Sequence, residues 1–187
     1  MGLEHDGPAL AAFYAERARG GVGLIVTGGS SVNRVGAGGR NYSFINEPKA
    51  TEPLRQAVDA VHDAGGRIAL QLFHAGRYAL YSSFRLQPAA PSAISSRFSP
   101  QPPHALTESE IYSTIADFAR GAARARELGF DGVEVMASEG YLINQFLSPV
   151  TNHRDDEWGG DFDRRARFGR ADKQKTGAMA FGQSEPE

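Results

Sequence analysis

Arg67-Ile68-Ala69-Leu70-Gln71-Leu72-Phe73-His74 is a nearly continuous apolar run, followed at once by Ala75-Gly76-Arg77. A strand wetted on one side alternates apolar and polar residues. A strand covered on both faces does not, and that is the habit of parallel sheets. Two further runs read the same way: Gly21-Val22-Gly23-Leu24-Ile25-Val26-Thr27, ending in Gly28-Gly29, and Phe130-Asp131-Gly132-Val133-Glu134-Val135-Met136. A helical pattern precedes each. Residues 8–19 carry Leu10, Phe13, Tyr14 and Ala18 at helical spacing, with Asp6 as N-cap. Residues 53–64 place Leu54, Val58 and Val61 on one face and stop at Gly65-Gly66. Residues 108–128 place Ile111, Ile115, Phe118, Ala122 and Ala125 on one face; Thr107 and Glu110 make a capping box, and Gly129 ends the helix. With a last helical piece at 162–168, strands alternate with helices throughout. That order predicts an α/β chain with a parallel sheet, and alternation alone leaves both a doubly wound sheet and a barrel open.

Composition narrows the function classes. The 187 residues hold 20 Lys plus Arg against 22 Asp plus Glu, a net charge of -2. Nothing in that balance favours nucleic acid or an anionic membrane as partner. Cysteine is absent, which excludes disulfides, thiolate metal sites and Cys-ligated iron–sulfur clusters within this chain. No apolar run approaches the roughly 20 residues of a membrane span. The acidic start, Met1-Gly2-Leu3-Glu4-His5-Asp6, has no apolar signal core, so a cytoplasmic location is expected. The length also falls short of the roughly 250 residues typical of a (β/α)8 barrel.

Two connections are long. Residues 30–49 are rich in Gly and Asn, and residues 78–106 hold Pro88, Pro91, Pro100, Pro102 and Pro103. Both follow the C-terminal end of a strand, where α/β folds place ligand sites. The stretch from Arg170 to Glu187 is polar and without apolar period, and is expected to be a disordered tail.

The strand ends hold the candidate chemistry. Gly28-Gly29 lets backbone approach a flat ligand or simply starts a loop. Gln71 interrupts an apolar strand. Its amide offers a donor and an acceptor to the imide edge of a flavin or to a base, or is satisfied by nearby backbone. His74 reads as a general base, as a ligand or as a structural hydrogen-bonding group. The other four histidines are scattered, so no metal site is expected. Tyr141 reads either as a proton donor or as an amphipathic core residue. Arg154 with Asp155 reads as an ion pair that pins a loop. The run Arg164, Arg165, Arg167 and Arg170 reads as a solvated helix face in preference to a phosphate site.

Gly140-Tyr141-Leu142-Ile143-Asn144-Gln145-Phe146-Leu147-Ser148-Pro149, then Asn152, Arg154, Asp155, Gly159-Gly160 and Arg165-Ala166-Arg167-Phe168, resembles the signature of the old yellow enzyme family. Those proteins are FMN oxidoreductases on a (β/α)8 barrel. Leu70-Gln71-Leu72 with His74-Ala75-Gly76-Arg77 is similar to the family's third barrel strand. Typical members carry a His and a second His or Asn where this chain has Met136 and Glu139. The stretch Met136-Ala137-Ser138-Glu139-Gly140-Tyr141, and Leu24-Ile25-Val26-Thr27-Gly28-Gly29, are instead similar to bacterial 2,4-dienoyl-CoA reductases.

The resemblance implies a partial TIM barrel, about strands two to four with their helices, over residues 1–168, followed by an atypical tail at 169–187. It implies FMN as cofactor, NAD(P)H as donor, and reduction of an enoyl or dienoyl C=C bond. Gln71 would hold the flavin pyrimidine ring, Gly28 and Gly29 would line the isoalloxazine, Met136 and Glu139 would meet substrate, and Tyr141 would supply the proton. The family's first strand and strands five to eight have no counterpart here, so the chain is expected to be a fragment. The FAD module and 4Fe-4S cluster of longer members are not encoded in it. Two rival readings are a non-catalytic half-barrel that self-associates as a homo-oligomer or binds flavin weakly, and a different (β/α)8 enzyme.

Overall fold

The computed structural model describes residues 6–40, 42–47, 51–80, 84–97, 99 and 101–171. Its elements run α1 (Gly7–Arg19), β1 (Ile25–Val26), β2 (Ser30–Ser31), β3 (Ser43–Phe44), α2 (Thr51–Asp63), β4 (Ile68–Phe73), β5 (Ala89–Ala90), β6 (His104–Ala105), α3 (Glu108–Glu127), β7 (Gly132–Val135), α4 (Leu142–Leu147) and α5 (Phe162–Arg165). The expected tail lies outside the described residues from position 172 onward.

Strand β4 is the centre of a parallel sheet. On one side β7 pairs with it, Gln71 opposite Glu134 and Leu72 opposite Val135. On the other side lie β1, with Ile25 opposite Ile68, and β2, with Ser31 opposite Phe73. From Val26 to Ser30 the chain advances four positions while β4 advances three, Ala69 to Leu72. One extra residue is therefore accommodated at Thr27-Gly28-Gly29, and a strand that holds an extra residue bends there. The bend re-aims the backbone at the end of the sheet where a ligand would sit. β3 pairs outside β2.

These observations correct the sequence reading in three places. The strand expected at 21–27 is paired only at Ile25–Val26, because Gly21 adopts φ 91° and the chain reaches β4 only at Ile25. The connection 30–49 is not a plain loop: it supplies β2 and β3. The proline-rich connection also carries structure, a parallel pair of β5 with β6.

The helices form where the apolar stripes lie, and their ends are capped. The Asp6 carboxylate accepts from the Ala9 N–H at 3.0 Å. Thr107 and Glu110 form the expected reciprocal capping box. The Thr107 N–H, then His104 and the Thr107 hydroxyl, hold the Glu110 carboxyl at about 2, well below the carboxylate range. On the helix side of the sheet, Ile68, Leu70 and Leu72 meet Val58 and Val61 of α2 and Ile111, Ile115 and Phe118 of α3, all buried in one cluster. Burying each of these side chains contributes about 1.5–3 kcal/mol. Successive β residues alternate faces, so Gln71 and its register partner Glu134 lie on the opposite face. That face carries the site.

Candidate active site

Phe73 is the hub of the strand-end region. A Cβ on Gly29 would stand 2.8 Å from its Cδ1 and 3.1 Å from Gln71 Oε1. The Tyr141 ring centroid lies 5.6 Å from that of Phe73, and Tyr42 lies 5.1 Å away on another side. Met136 packs against the same small cluster of Phe73, Ala75 and Ala79. The structure thus brings together Gly29, Gln71, Met136 and Tyr141, four residues singled out in sequence from three different strand ends. Gly28 sits at the rim, exposed, its N–H donating to the Tyr14 hydroxyl at 3.1 Å. Glu139 is exposed and holds φ 59°.

Several polar groups here are left unpaired. The Gln71 backbone N–H donates to Thr27 Oγ1 at 3.1 Å, but no hydrogen bond among the described residues engages its side-chain amide. Glu134 Oε2, Arg77 Nε and His74 Nε2 are buried without a partner. Buried polar groups are ordinarily satisfied, and each orphan calls for an explanation. A bound planar ligand with donors and acceptors along one edge would meet Gln71 and Glu134 on the open face, and the absence of any atom within 4 Å of a Cβ on Gly28 leaves it room. The residues present therefore fit a flavin ring.

His74 resolves in favour of structure. It is 1% exposed, and burial drives its imidazole down to about 3, so it is neutral at any ordinary pH. Its Nδ1 accepts from the Gly76 N–H at 3.0 Å, which places the ring proton on Nε2. Tyr141 is half-buried. Burial first, and then Tyr42, Glu139 and Tyr78 nearby, push its phenol above the ordinary value. It therefore stays protonated across the neutral range, as a proton donor must.

Other sequence readings come out differently. Arg154 pairs not with Asp155 but with Asp156, Nε to Oδ1 at 3.0 Å, and also donates to the carbonyls of Pro91 and Leu106. Asp155 is exposed. The loop is pinned as expected, with the partner one residue further on, because Asp156 also caps the Trp158 N–H at 3.0 Å and so faces inward. Arg164, Arg167 and Arg170 are exposed and pair with Asp161, Glu157 and Asp163, whereas Arg165 is half-buried and leaves the solvated face, its Nε donating to the Leu147 carbonyl at 2.8 Å. A cleft of about 760 Å³ beside them includes Tyr112 and Trp158 and none of the strand-end cluster. No group of three potential metal ligands occurs among the described residues.

Sequence reasoning missed Phe73, Tyr78 and Gln145. Gln145 is 1% exposed and lies among Leu142, Ile143 and Phe146, buried on the same helix. The signal was available: a polar residue inside an apolar helical segment, the argument already applied to Gln71.

Residues 2–171 match the family model described as NADH:flavin oxidoreductase / NADH oxidase family. Among curated relatives, the chain is 48% identical over 161 residues to a metal reductase of Desulforamulus reducens, covering 86% of this chain and 24% of that protein. It is 40% identical over 157 residues to an NADPH dehydrogenase of Listeria welshimeri, covering 84% and 46%. An old yellow enzyme homologue from Zymomonas mobilis superimposes with a TM-score of 0.81 at 33% identity, covering 91% of this chain and 50% of that one. The chain thus spans about a quarter to a half of the length of these proteins. The parallel strand order and this superposition bear out the partial (β/α)8 barrel.

Proposed function

Because the chain belongs to the NADH:flavin oxidoreductase / NADH oxidase family, we propose that it supplies the strand-two-to-four part of an FMN-dependent ene-reductase, with residues 1–168 as the flavin-binding unit. The observation that carries this reading is the convergence of Gly29, Met136 and Tyr141 on one buried ring, Phe73, with the Gln71 amide beside Gly29. FMN, reduced by NAD(P)H, would supply a hydride to one carbon of an activated C=C bond. Gln71 would hold the pyrimidine edge through its free amide. Gly28 and Gly29 would allow the ring to lie against backbone.

Tyr141 would give its hydroxyl proton to the neighbouring carbon as the C=C bond becomes a single bond, and the tyrosinate would recover a proton from water. The phenol stays protonated across the neutral range, so the proton is there to give. Met136 and Glu139 occupy the place of a carbonyl-gripping pair, and they favour a 2,4-dienoyl-CoA or enoate substrate over a simple enone. No helix among the described residues is long and apolar enough to cross a membrane, in keeping with a cytoplasmic enzyme.

A second reading has its own support. Leu24 and Val26 are 57% and 44% exposed, an unpartnered stretch that a second copy would cover. In that case the chain is a half-barrel that self-associates as a homo-oligomer.

The visible spectrum of the purified 187-residue chain separates the two. A flavin band that NADPH bleaches and an enoyl substrate restores supports the reductase. A colourless dimer supports the half-barrel. In the reductase, Tyr141→Phe should slow the restoring step on the order of a hundredfold and leave bleaching unchanged; equal rates would remove Tyr141 from the mechanism.

A further inference from the structure

The turns after β4 and β7 carry most of the candidate chemistry, and neither has regular structure of its own beyond a 3₁₀ turn at Gly76–Tyr78. One side chain joins them. Gln145 Nε2 donates to the Ala75 carbonyl at 3.1 Å, in the turn after β4, and to the Gly140 carbonyl at 2.6 Å, in the turn after β7. Its Oε1 accepts from the Arg77 N–H at 3.0 Å. Both amide donors and one acceptor position are thereby used.

The surroundings leave little slack. A Cβ on Gly76 would collide with the Gln145 amide, and one on Gly140 would stand 2.7 Å from the Tyr78 hydroxyl. Asn144 Oδ1 accepts from the Gly140 N–H at 3.1 Å, and the Leu142 N–H donates to the His74 carbonyl at 3.0 Å. Glu139, beside Gly140, keeps a left-handed backbone at φ 59°. A non-glycine residue holds that conformation when its neighbours over-determine it.

We propose that Gln145 is a positioning residue: by clamping the Gly140 carbonyl to the Ala75–Arg77 turn, it sets where Tyr141 stands relative to the rings of Phe73 and Tyr78. The proposal rests on the reading of Tyr141 as proton donor. Gln145 is buried, and it acts through the peptide next to Tyr141. Displacing a reacting group by about 1 Å can cost on the order of a hundredfold in rate.

Gln145→Met keeps the side-chain length and removes all three hydrogen bonds. In the flavin-loaded chain, the restoring step with 2,4-hexadienoyl-CoA should slow ten- to a hundredfold, while FMN affinity and bleaching by NADPH stay within about threefold. In a Tyr141→Phe background the same substitution should change the restoring step less than about threefold, because the group it positions is gone. Fully additive losses, or equal losses in both half-reactions, would overturn the proposal.

Gln145→Asn provides a second measurement that needs no turnover. With ¹³C-ring-labelled tyrosine, and Tyr141→Phe to assign the signal, the Tyr141 phenol should titrate closer to its ordinary value than in the unaltered chain. An unshifted titration would overturn the positioning role. A chain that does not reduce 2,4-hexadienoyl-CoA counts against the reductase reading alone, and the titration still decides Gln145.

Discussion

On the helix side of β4, Ile68, Leu70 and Leu72 are fully buried among the apolar stripes of α2 and α3. On the opposite side, two residues of the same strand system behave differently: the Gln71 amide has no partner among the described residues, and Glu134 Oε2 is buried unpaired. Both faces belong to one sheet, with strands in one register. The first is closed by the chain itself. The second holds its polar groups ready for something else. Unsatisfied groups work against folding, so Gln71 and Glu134, side by side in register, mark a place where ligand contacts rather than packing decide which residues stand there.

The largest effect expected of this division is on the closed face. Phe118 is 0% exposed, and Phe118→Ala should lower unfolding free energy by about 3–5 kcal/mol, measured by urea denaturation. A loss under about 1 kcal/mol would mean that the helix side is not the packed core described here.

An intermediate effect is expected at the boundary between the faces, and it depends on pH. The His74 imidazole is lowered by burial from 6.5 to about 3. The unfolded chain therefore binds a proton that the folded one refuses, between those two values. Stability from this group is fully present above about 6.5 and is lost as pH falls toward 3. His74→Asn, whose side-chain oxygen can still accept from Gly76, should flatten the fall in urea midpoint between pH 7 and pH 4. An unchanged slope would show that His74 is protonated in the folded chain.

The smallest stability effect belongs to the open face. Gln71→Leu should shift unfolding free energy by no more than about 0.5 kcal/mol, since the backbone bond to Thr27 survives. Added FMN should bind about three- to tenfold more weakly, corresponding to one or two lost hydrogen bonds, measured by flavin fluorescence. If Gln71→Leu destabilised the chain as Phe118→Ala does, the two faces would not differ in kind.

Much of this arrangement could be read from local pattern. Asp6, Thr107 and Glu110 announced their helix ends, because capping is settled within a few residues of chain. The apolar run at 67–74 marked the central strand. The broken strand at Ile25–Val26 and Ser30–Ser31 was not readable, since a register change is a relation between two strands and leaves no period in one. Arg154 was seen to pin a loop, but choosing Asp156 over Asp155 depends on which carboxylate faces inward. Among site residues, Gln71 was visible as a polar break in an apolar run. Gln145 carried the same signal and was passed over beside the motif that surrounds it.

The sequence by itself determined the α/β alternation, the three long helices and the family signature around Tyr141, because periodicity, caps and motif spacing act along the chain. Only the tertiary structure decided that Phe73 is the common wall for Gly29, Met136 and Tyr141, and that one glutamine amide joins the turns after β4 and β7. Those contacts link residues up to 112 positions apart, Gly29 to Tyr141. They exist because parallel strands in register bring their C-terminal ends to one edge of the sheet, where side chains from separate strands meet.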